Sequence, residues 1–330
     1  MGTPSVAALR RIVSRFRRIR VLVVGDLILD EFIWGDVSRI SPEAPVPVVW
    51  VRNESYMPGG AANVAHNLAA LGAAVSLIGL VGDDLHGSTL RHKLAEKGVD
   101  TGGVIVDHSR PTTLKTRVVA HHQQLVRIDR EKIAPVAGRV LARMVEYLEA
   151  AVDSVDAVII EDYGKGVITP RLLKRILPLL RTHGKIIAVD PKEEHFRYYR
   201  GISVITPNHH EASRLVGFPI RDGATLEKAG EKILRLLDCS IALITLGEHG
   251  MAVFEKGKKV QQIPTVAQEV FDVSGAGDTV VAAYTLALAA GANAVEAALI
   301  ANHAAGLVVG KVGIAVVTPQ ELLQRITSAP

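Results

Sequence analysis

The sequence predicts an α/β fold built on a mostly parallel central sheet. Short runs of branched apolar residues alternate with helical stretches, and polar residues gather where the runs end. Two further segments lack intervening helices and predict a small antiparallel β layer over the main sheet.

The first run is Val21–Val24, followed at once by Gly25-Asp26. Further runs are Val75–Leu80, Ala157–Ile160, Ile186–Val189, Val204–Ile205 and Ile241–Thr245. Helices are predicted between most of them, over about 61–71, 84–97, 137–152, 170–182, 209–216 and 224–237. Parallel sheets bind ligands at the C-terminal ends of their strands. Asp26, Asp162, Asp190, Asn208 and Thr245 all fall at or just beyond such ends.

The segments without helices are 31–56, where Pro42, Pro45 and Pro47 interrupt a valine-rich stretch, and 104–128. The second reads as two alternating strands, Lys115–Ala120 and Gln124–Ile128. A sheet lying over a cleft would act as a lid that excludes water from the chemistry. Its exposed apolar face would suit a homodimer contact. No repeat or composition break divides the chain, so residues 1–330 read as one domain carrying this lid.

Composition excludes several function classes. The chain has 330 residues, 48% of them hydrophobic, which is enough for one large core. Cys239 is the only cysteine, so no intrachain disulfide forms and a reducing, cytoplasmic setting fits. The net charge of +4 is concentrated in Arg10, Arg11, Arg15, Arg17, Arg18 and Arg20. Leu9, Val13 and Phe16 supply an inner face there, which gives a solvated amphipathic helix. Neither aromatic interleaving nor a second basic cluster follows, which argues against nucleic acid. The uncharged run 280–295 is ended by Gly291, Asn293 and Glu296 and reads as a buried helix, not a membrane span.

The most informative segment is Phe271-Asp272-Val273-Ser274-Gly275-Ala276-Gly277-Asp278-Thr279, which opens an Ala/Leu-rich helix over about 277–290. Its glycines let the N–H groups of Gly275, Ala276, Gly277 and Asp278 converge on one point. The helix N-terminus adds positive potential there, so the segment suits a transferring phosphoryl group. Asp278 can take the proton of an attacking hydroxyl; capping the helix is its plainer role.

Three further segments point the same way. Gly59 and Gly60 open a second helix, with Asn63 able to donate and accept toward hydroxyls. Asn208 and Glu211 lie three apart on one helix face at a strand end, suited to nucleotide phosphates and to Mg²⁺ through water. His209 and His210 are adjacent, so they should diverge and make a poor metal pair. Thr245, Gly247 and Gly250 form a turn that suits a nucleotide or an ordinary hairpin. The segment Gly82–Thr89 has P-loop spacing, but Ser88 stands where lysine is required.

Taken together, these motifs resemble the ribokinase-type (PfkB) carbohydrate kinases over essentially the whole chain. Gly59-Gly60-Ala61-Ala62-Asn63, followed by Gly72 and Gly82, is similar to that family's N-terminal signature. Asp272 through Asp278 is similar to its C-terminal signature, and Asn208 and Glu211 to its NxxE motif. The resemblance implies a ribokinase-like three-layer sandwich, ATP and Mg²⁺ as cofactors, Asp278 as catalytic base and Gly275, Ala276 and Gly277 as the anion hole. It also implies a nucleotide site at Asn208, Glu211, Thr245, Gly247, Gly250 and Asn302, with Glu211 toward the metal.

Ser38–Val49, Gln123–Asp129, Asp162–Gly166 and Ala267–Asp272 are similar to the heptose-phosphate kinase branch. That implies phosphorylation of D-glycero-β-D-manno-heptose 7-phosphate at C1, on the way to ADP-heptose and the lipopolysaccharide core. A separate adenylyltransferase would then act in the pathway, because no HxGH-type motif occurs here. Rival readings are a kinase for fructose, ribose, a keto-deoxy sugar acid or a nucleoside, and a non-catalytic sugar or nucleotide sensor.

A sugar phosphate needs cations around it. Lys115, Arg117, Arg127, Lys165 and Lys192 are the candidates, while Asp26 and Asp30 would hold sugar hydroxyls beside Gln123. Two departures stand out: Ser274 where the family usually has Thr, and His122 where Asn is expected.

Overall fold

The predicted alternation closes into a nine-stranded sheet covered by helices on both faces, with a separate four-stranded sheet at one side. The computed structural model describes residues 4–121, 123–267, 270–311 and 313–328. The departure at His122, and Gln268 and Glu269 of the branch motif, lie outside the described residues.

The strands are β1 (Arg20–Gly25), β2 (Leu27–Ile40), β3 (Pro47–Gly60), β4 (Ala74–Val81), β5 (Asp100–Val106), β6 (Thr113–Ala120) and β7 (Gln123–Arg130). They continue with β8 (Ala157–Glu161), β9 (Ile186–Asp190), β10 (Val204–Ile205), β11 (Ile241–Thr245), β12 (Met251–Glu255) and β13 (Gln261–Ile263). The helices are α1 (Val6–Arg15), α2 (Ala61–Ala70), α3 (Leu85–Glu96), α4 (Gly138–Ala151) and α5 (Pro170–Thr182). After them come α6 (His209–Val216), α7 (Gly223–Leu237), α8 (Ala276–Ala289), α9 (Ala294–Val308) and α10 (Pro319–Ser328).

The main sheet runs β13-β12-β11-β10-β9-β8-β1-β4-β5. All neighbours from β11 to β5 are parallel, while β12 and β13 are antiparallel at one edge. Central strands buried on both faces must be apolar throughout, and Val21, Leu22 and Val23 of β1 are fully buried. One core layer joins α1, α2, α8, α9 and α10 to the sheet, and the other joins α4, α5, α6 and α7. In α1, Leu9, Ile12 and Val13 face inward and the arginines outward. Both α8 and α9 are buried, in keeping with the uncharged run at 280–295.

The small sheet has the order β3-β2-β6-β7. Its outer pairs are antiparallel, but β2 and β6 run parallel, so it is mixed rather than purely antiparallel. The expected lid segment 104–128 is also divided, since residues 104–106 belong to β5 in the main sheet. A glycine pair hid β5. Its Gly102-Gly103 pair lacks strand propensity, yet a Cβ on Gly103 would come 2.7 Å from the Leu77 carbonyl oxygen, so close packing demands glycine there.

The small sheet is rooted at the strand ends. β2 begins one residue after Asp26, and β3 runs into α2 without a break. At the junction Gly60 adopts φ +55°, a conformation that favours glycine. No described helix is long and apolar enough to cross a membrane.

Candidate active site

The N-terminus of α8 fixes the centre of the site. Gly275, with φ +76°, turns the chain into the helix, and a Cβ on it would come 2.8 Å from Asn63 Nδ2. A Cβ on Gly277 would meet nothing within 4 Å, so the backbone there is open to a ligand. Asp278 follows in the first turn and is 4% exposed.

Its two oxygens are held separately. Tyr163 donates its hydroxyl to Oδ1 at 2.9 Å, and Asn63 donates Nδ2 to Oδ2 at 2.6 Å. Asn67 fixes the Asn63 amide by donating to its carbonyl and to its Oδ1, and it accepts the Thr279 hydroxyl at 2.9 Å. Burial pushes the Asp278 pKa up to about 6, against the pull of the Asn63 and Tyr163 hydrogen bonds.

Two more carboxyls stand beside it. Glu161 and Asp190 end the paired strands β8 and β9 opposite one another. One oxygen from each of Glu161, Asp190 and Asp278 lies within 4.8 Å of the others. Glu161 is fully buried, and neither oxygen meets a donor. It can bond Asp190 only by sharing a proton, so burial and its acidic neighbours hold its pKa well above the usual carboxylate range. Burial, then the charges of Glu211 and Asp278, push Asp190 up to about 8, although the Thr206 hydroxyl donates to it at 2.9 Å.

Such a set is poorly satisfied without a hard cation. Three oxygens converge there, one of them from a carboxyl with no other partner, and Mg²⁺ prefers oxygen ligands. The residues therefore fit Mg²⁺. Glu211, the residue expected near the metal, lines the same cleft outside this group.

The cleft runs along the strand ends and is lined by Tyr163, Asp190, Lys192, Asn208, Glu211, Thr245, Gly275, Gly277 and Asp278, among others. Asn208 and Glu211 form a reciprocal cap on α6. The Asn208 side chain accepts the N–H groups of His210 and Glu211, and Glu211 Oε2 accepts the Asn208 N–H at 2.9 Å. Gly247 and Gly250 sit in the turn of the β11–β12 hairpin, both with positive φ. Asn302 is buried and donates to the Pro264 carbonyl at 2.7 Å, and it is not among the residues lining this cleft. The rings of His209 and His210 do not diverge but lie close and tilted, with centroids 3.8 Å apart and planes at 40°.

Asp26 is the clearest reassignment. Both its oxygens are occupied by the backbone, accepting the N–H groups of Tyr163, Lys165 and Val167 at 3.0 Å each. It staples the 163–167 loop and thereby aims Tyr163 at Asp278. It holds the loop rather than a sugar hydroxyl. Burial raises its pKa to about 6 despite those three donors.

On the small sheet, Gly59 lets Asp30 in, since a Cβ there would lie 2.0 Å from Asp30 Oδ2. The expected cations already have carboxylate neighbours: Arg117 contacts Asp30, Lys115 and Arg127 contact Asp129, and Lys165 contacts Glu131. Gln123 is exposed at the start of β7. Sequence reasoning did not single out Glu161, and it met Tyr163 only inside the 162–166 branch motif, without a role. The only signal for Glu161 is an acid closing the otherwise apolar strand Ala157–Ile160.

A buried carboxylate at a glycine-built helix N-terminus, in a cleft along parallel strand ends, is the layout of a phosphoryl-transfer enzyme. A family model described as pfkB family carbohydrate kinase matches residues 19–321, and the chain belongs to that family of sugar kinases. Among curated relatives, the protein called Bifunctional protein HldE of Desulfatibacillum aliphaticivorans is 46% identical over 318 residues, covering 96% of this chain and 65% of that protein. Its namesake in Geobacter sulfurreducens is 47% identical over 305 residues, covering 92% of this chain and 62% of that protein. The chain thus spans less than two thirds of the length of these two relatives.

Among solved structures, Arabidopsis thaliana ribokinase complexed with ribose and ATP superposes with a TM-score of 0.76 at 22% identity, covering 94% of this chain and 99% of that one. Escherichia coli phosphofructokinase-2 in complex with substrates and products gives 0.76 at 19% identity, covering 94% and 98%. These likenesses establish the ribokinase-like fold.

Proposed function

We propose that this chain transfers the γ-phosphoryl group of ATP to C1 of D-glycero-β-D-manno-heptose 7-phosphate, giving the 1,7-bisphosphate used in ADP-heptose and lipopolysaccharide-core synthesis. The observation that carries the chemistry is the Asp278 carboxylate, buried beneath the α8 N-terminus and oriented by Tyr163 and Asn63. The choice of sugar rests on the identity to proteins called HldE and on the branch motifs at 38–49, 123–129 and 162–166.

In this reading Asp278 takes the proton of the anomeric hydroxyl as it attacks in line. The N–H groups of Gly275, Ala276, Gly277 and Asp278 meet the charge on the transferring group. Asn208, Glu211, Thr245 and the Gly247–Gly250 turn face the nucleotide, and Lys192 adds a cation on the same wall. Glu161 and Asp190 would hold Mg²⁺, which when bound offsets negative charge on the nucleotide phosphates. The small sheet covers the sugar, with Asp30 and Gly59 at its base.

The test is ADP release from Mg-ATP with heptose 7-phosphate, beside fructose, fructose 6-phosphate and ribose. Turnover on the heptose phosphate at least 100-fold above the others is expected. Equal or faster turnover on another sugar overturns the assignment of substrate and leaves the kinase.

The small sheet also supports a homodimer. Ile40, Trp50, Val51, Val126 and Ile128 are all about half exposed or more, at 48–61%. Val126 and Ile128 share one face of β7, and exposed apolar side chains on a sheet face mark an interface. Sedimentation of the native chain should give a dimer, and Trp50→Glu combined with Ile128→Glu a monomer. A native monomer at micromolar concentration would remove this part of the reading.

A further inference from the structure

The first 25 residues hold six arginines, Arg10, Arg11, Arg15, Arg17, Arg18 and Arg20, and no Lys, Asp or Glu. They outweigh the chain's net charge of +4, so the remaining residues carry −2. All six are exposed. None pairs with a carboxylate among the described residues, where the arginine ion pairs lie at other positions. Arg15 donates to the Ala290 carbonyl at 3.3 Å, and Asp156 accepts the backbone N–H of Arg20 at 2.8 Å.

These side chains form one face. At about 100° per residue, Arg10, Arg11 and Arg15 fall within about 140° of arc on α1. The opposite side carries the buried Leu9, Ile12 and Val13. Arg17 and Arg18 continue the exposed side along the short 3₁₀ turn Phe16–Arg18, while Phe16 is buried. Beside Arg10 the groove wall from α10 is uncharged, made by Leu323, Gln324, Thr327 and Ser328. Arg17, Arg18 and Arg20 sit where β1 begins. In the β1–β8 pair Val21 stands opposite Ala157, and Gly25 opposite Glu161. Glu161 and the cleft therefore lie at the other end of the sheet, roughly 17 Å away at 3.3 Å per residue.

We propose that this face docks reversibly on an anionic phospholipid surface and leaves the cleft turned away from the bilayer. Six guanidinium groups without counter-charges repel one another, and an external array of phosphates relieves that repulsion. Near an anionic leaflet each arginine strengthens binding about five-fold. Val6, at 41%, is the only exposed large apolar side chain over residues 4–20. The apolar side of α1 is locked in the core, so the contact is electrostatic and the helix does not insert. Nucleic acid fits this face less well. Phe16 is 1% exposed, so no ring in the segment can stack on bases. With its inner side packed in the core, α1 cannot enter a groove as a free-standing recognition helix does.

Co-sedimentation of the native chain with vesicles tests this, using phosphatidylcholine and phosphatidylglycerol at about two to one beside phosphatidylcholine alone. At about 0.1 M salt, binding to the anionic vesicles should exceed the neutral control at least roughly ten-fold, and it should fall steeply by about 0.5 M as exposed charges are screened. Changing Arg10, Arg11, Arg17 and Arg18 together to Gln should weaken that binding at least roughly ten-fold, and changing the same four to Lys should keep most of it. Both variants should retain the native Tm and native ATP binding, because these side chains touch neither the core nor the cleft. Anionic binding no stronger than neutral, or unchanged in the Gln variant, would overturn the docking face. Tighter binding of the native chain to a mixed-sequence DNA duplex at the same salt would also overturn it and assign the face to nucleic acid.

Discussion

Asp278→Asn is expected to lower kcat by about 10²–10⁴-fold, the usual contribution of a general base, while ATP binding stays close to native. The substitution keeps the shape of the side chain, and the amide oxygen can still accept from Tyr163 or Asn63. It removes the ability to take a proton. Asp278 is buried at the head of α8, and nothing in its hydrogen-bond set supplies a second base. The pH dependence should agree. Burial raises its pKa to about 6, and only the ionised form accepts a proton. The native rate should therefore fall about tenfold per pH unit below that value and level off above it. Isothermal titration with ATP, beside a coupled ADP assay, separates binding from chemistry. Near-native turnover in the variant would remove Asp278 from the mechanism.

Glu161→Gln should separate stability from activity. The native side chain is fully buried, without a donor, among two other acids. Its folded pKa lies well above the ordinary value, so the native state binds more protons than the unfolded state between the two values. Stability contributed by this residue is thus lost as pH rises from the unfolded pKa toward the folded one. A neutral amide removes that loss and can donate to Asp190. The metal-free variant should be more stable by about 1–3 kcal/mol, with the gain growing toward alkaline pH. Turnover at limiting Mg²⁺ should fall, and the Mg²⁺ concentration for half-maximal rate should rise at least tenfold. Thermal melts with and without Mg²⁺, together with Mg²⁺ titration of the rate, check both halves. A less stable variant with an unchanged Mg²⁺ requirement would make Glu161 purely structural.

Those two residues also mark how far the sequence could be read. Asp278 and its glycines were legible because the anion hole is made by consecutive residues whose conformations follow from glycine and helix chemistry. Parallel strands such as Ala157–Ile160 and Ile186–Val189 were legible because burial on both faces demands unbroken apolar runs. Glu161, Asp190 and Tyr163 meet Asp278 only after three βα units have stacked, and no local pattern encodes that convergence. Asp26 shows a subtler limit. Its place after β1 was evident, but its three backbone partners on the 163–167 loop come from chain more than 130 residues away. For the small sheet, alternation revealed β6 and β7. The parallel β2–β6 pairing depends on a crossover that strand patterning does not specify.

The way β2 and β3 join the body of the protein bears on how such an enzyme changes its substrate. Both strands meet the core at one place, beside Asp26 and Gly60, and Gly60 leads within three residues to the amide that orients the base. The outer residues of these strands can vary with only local effects, which leaves acceptor choice open to selection. Their roots cannot, because a tilt there would move Asn63 and turn the Asp278 carboxylate. Exchanging the whole sheet with that of a relative should therefore disturb catalysis even where the new surface fits its sugar. Substituting residues on its inner face would not. Divergence within this family is then expected to proceed residue by residue along the strands, and not by shuffling lids as units.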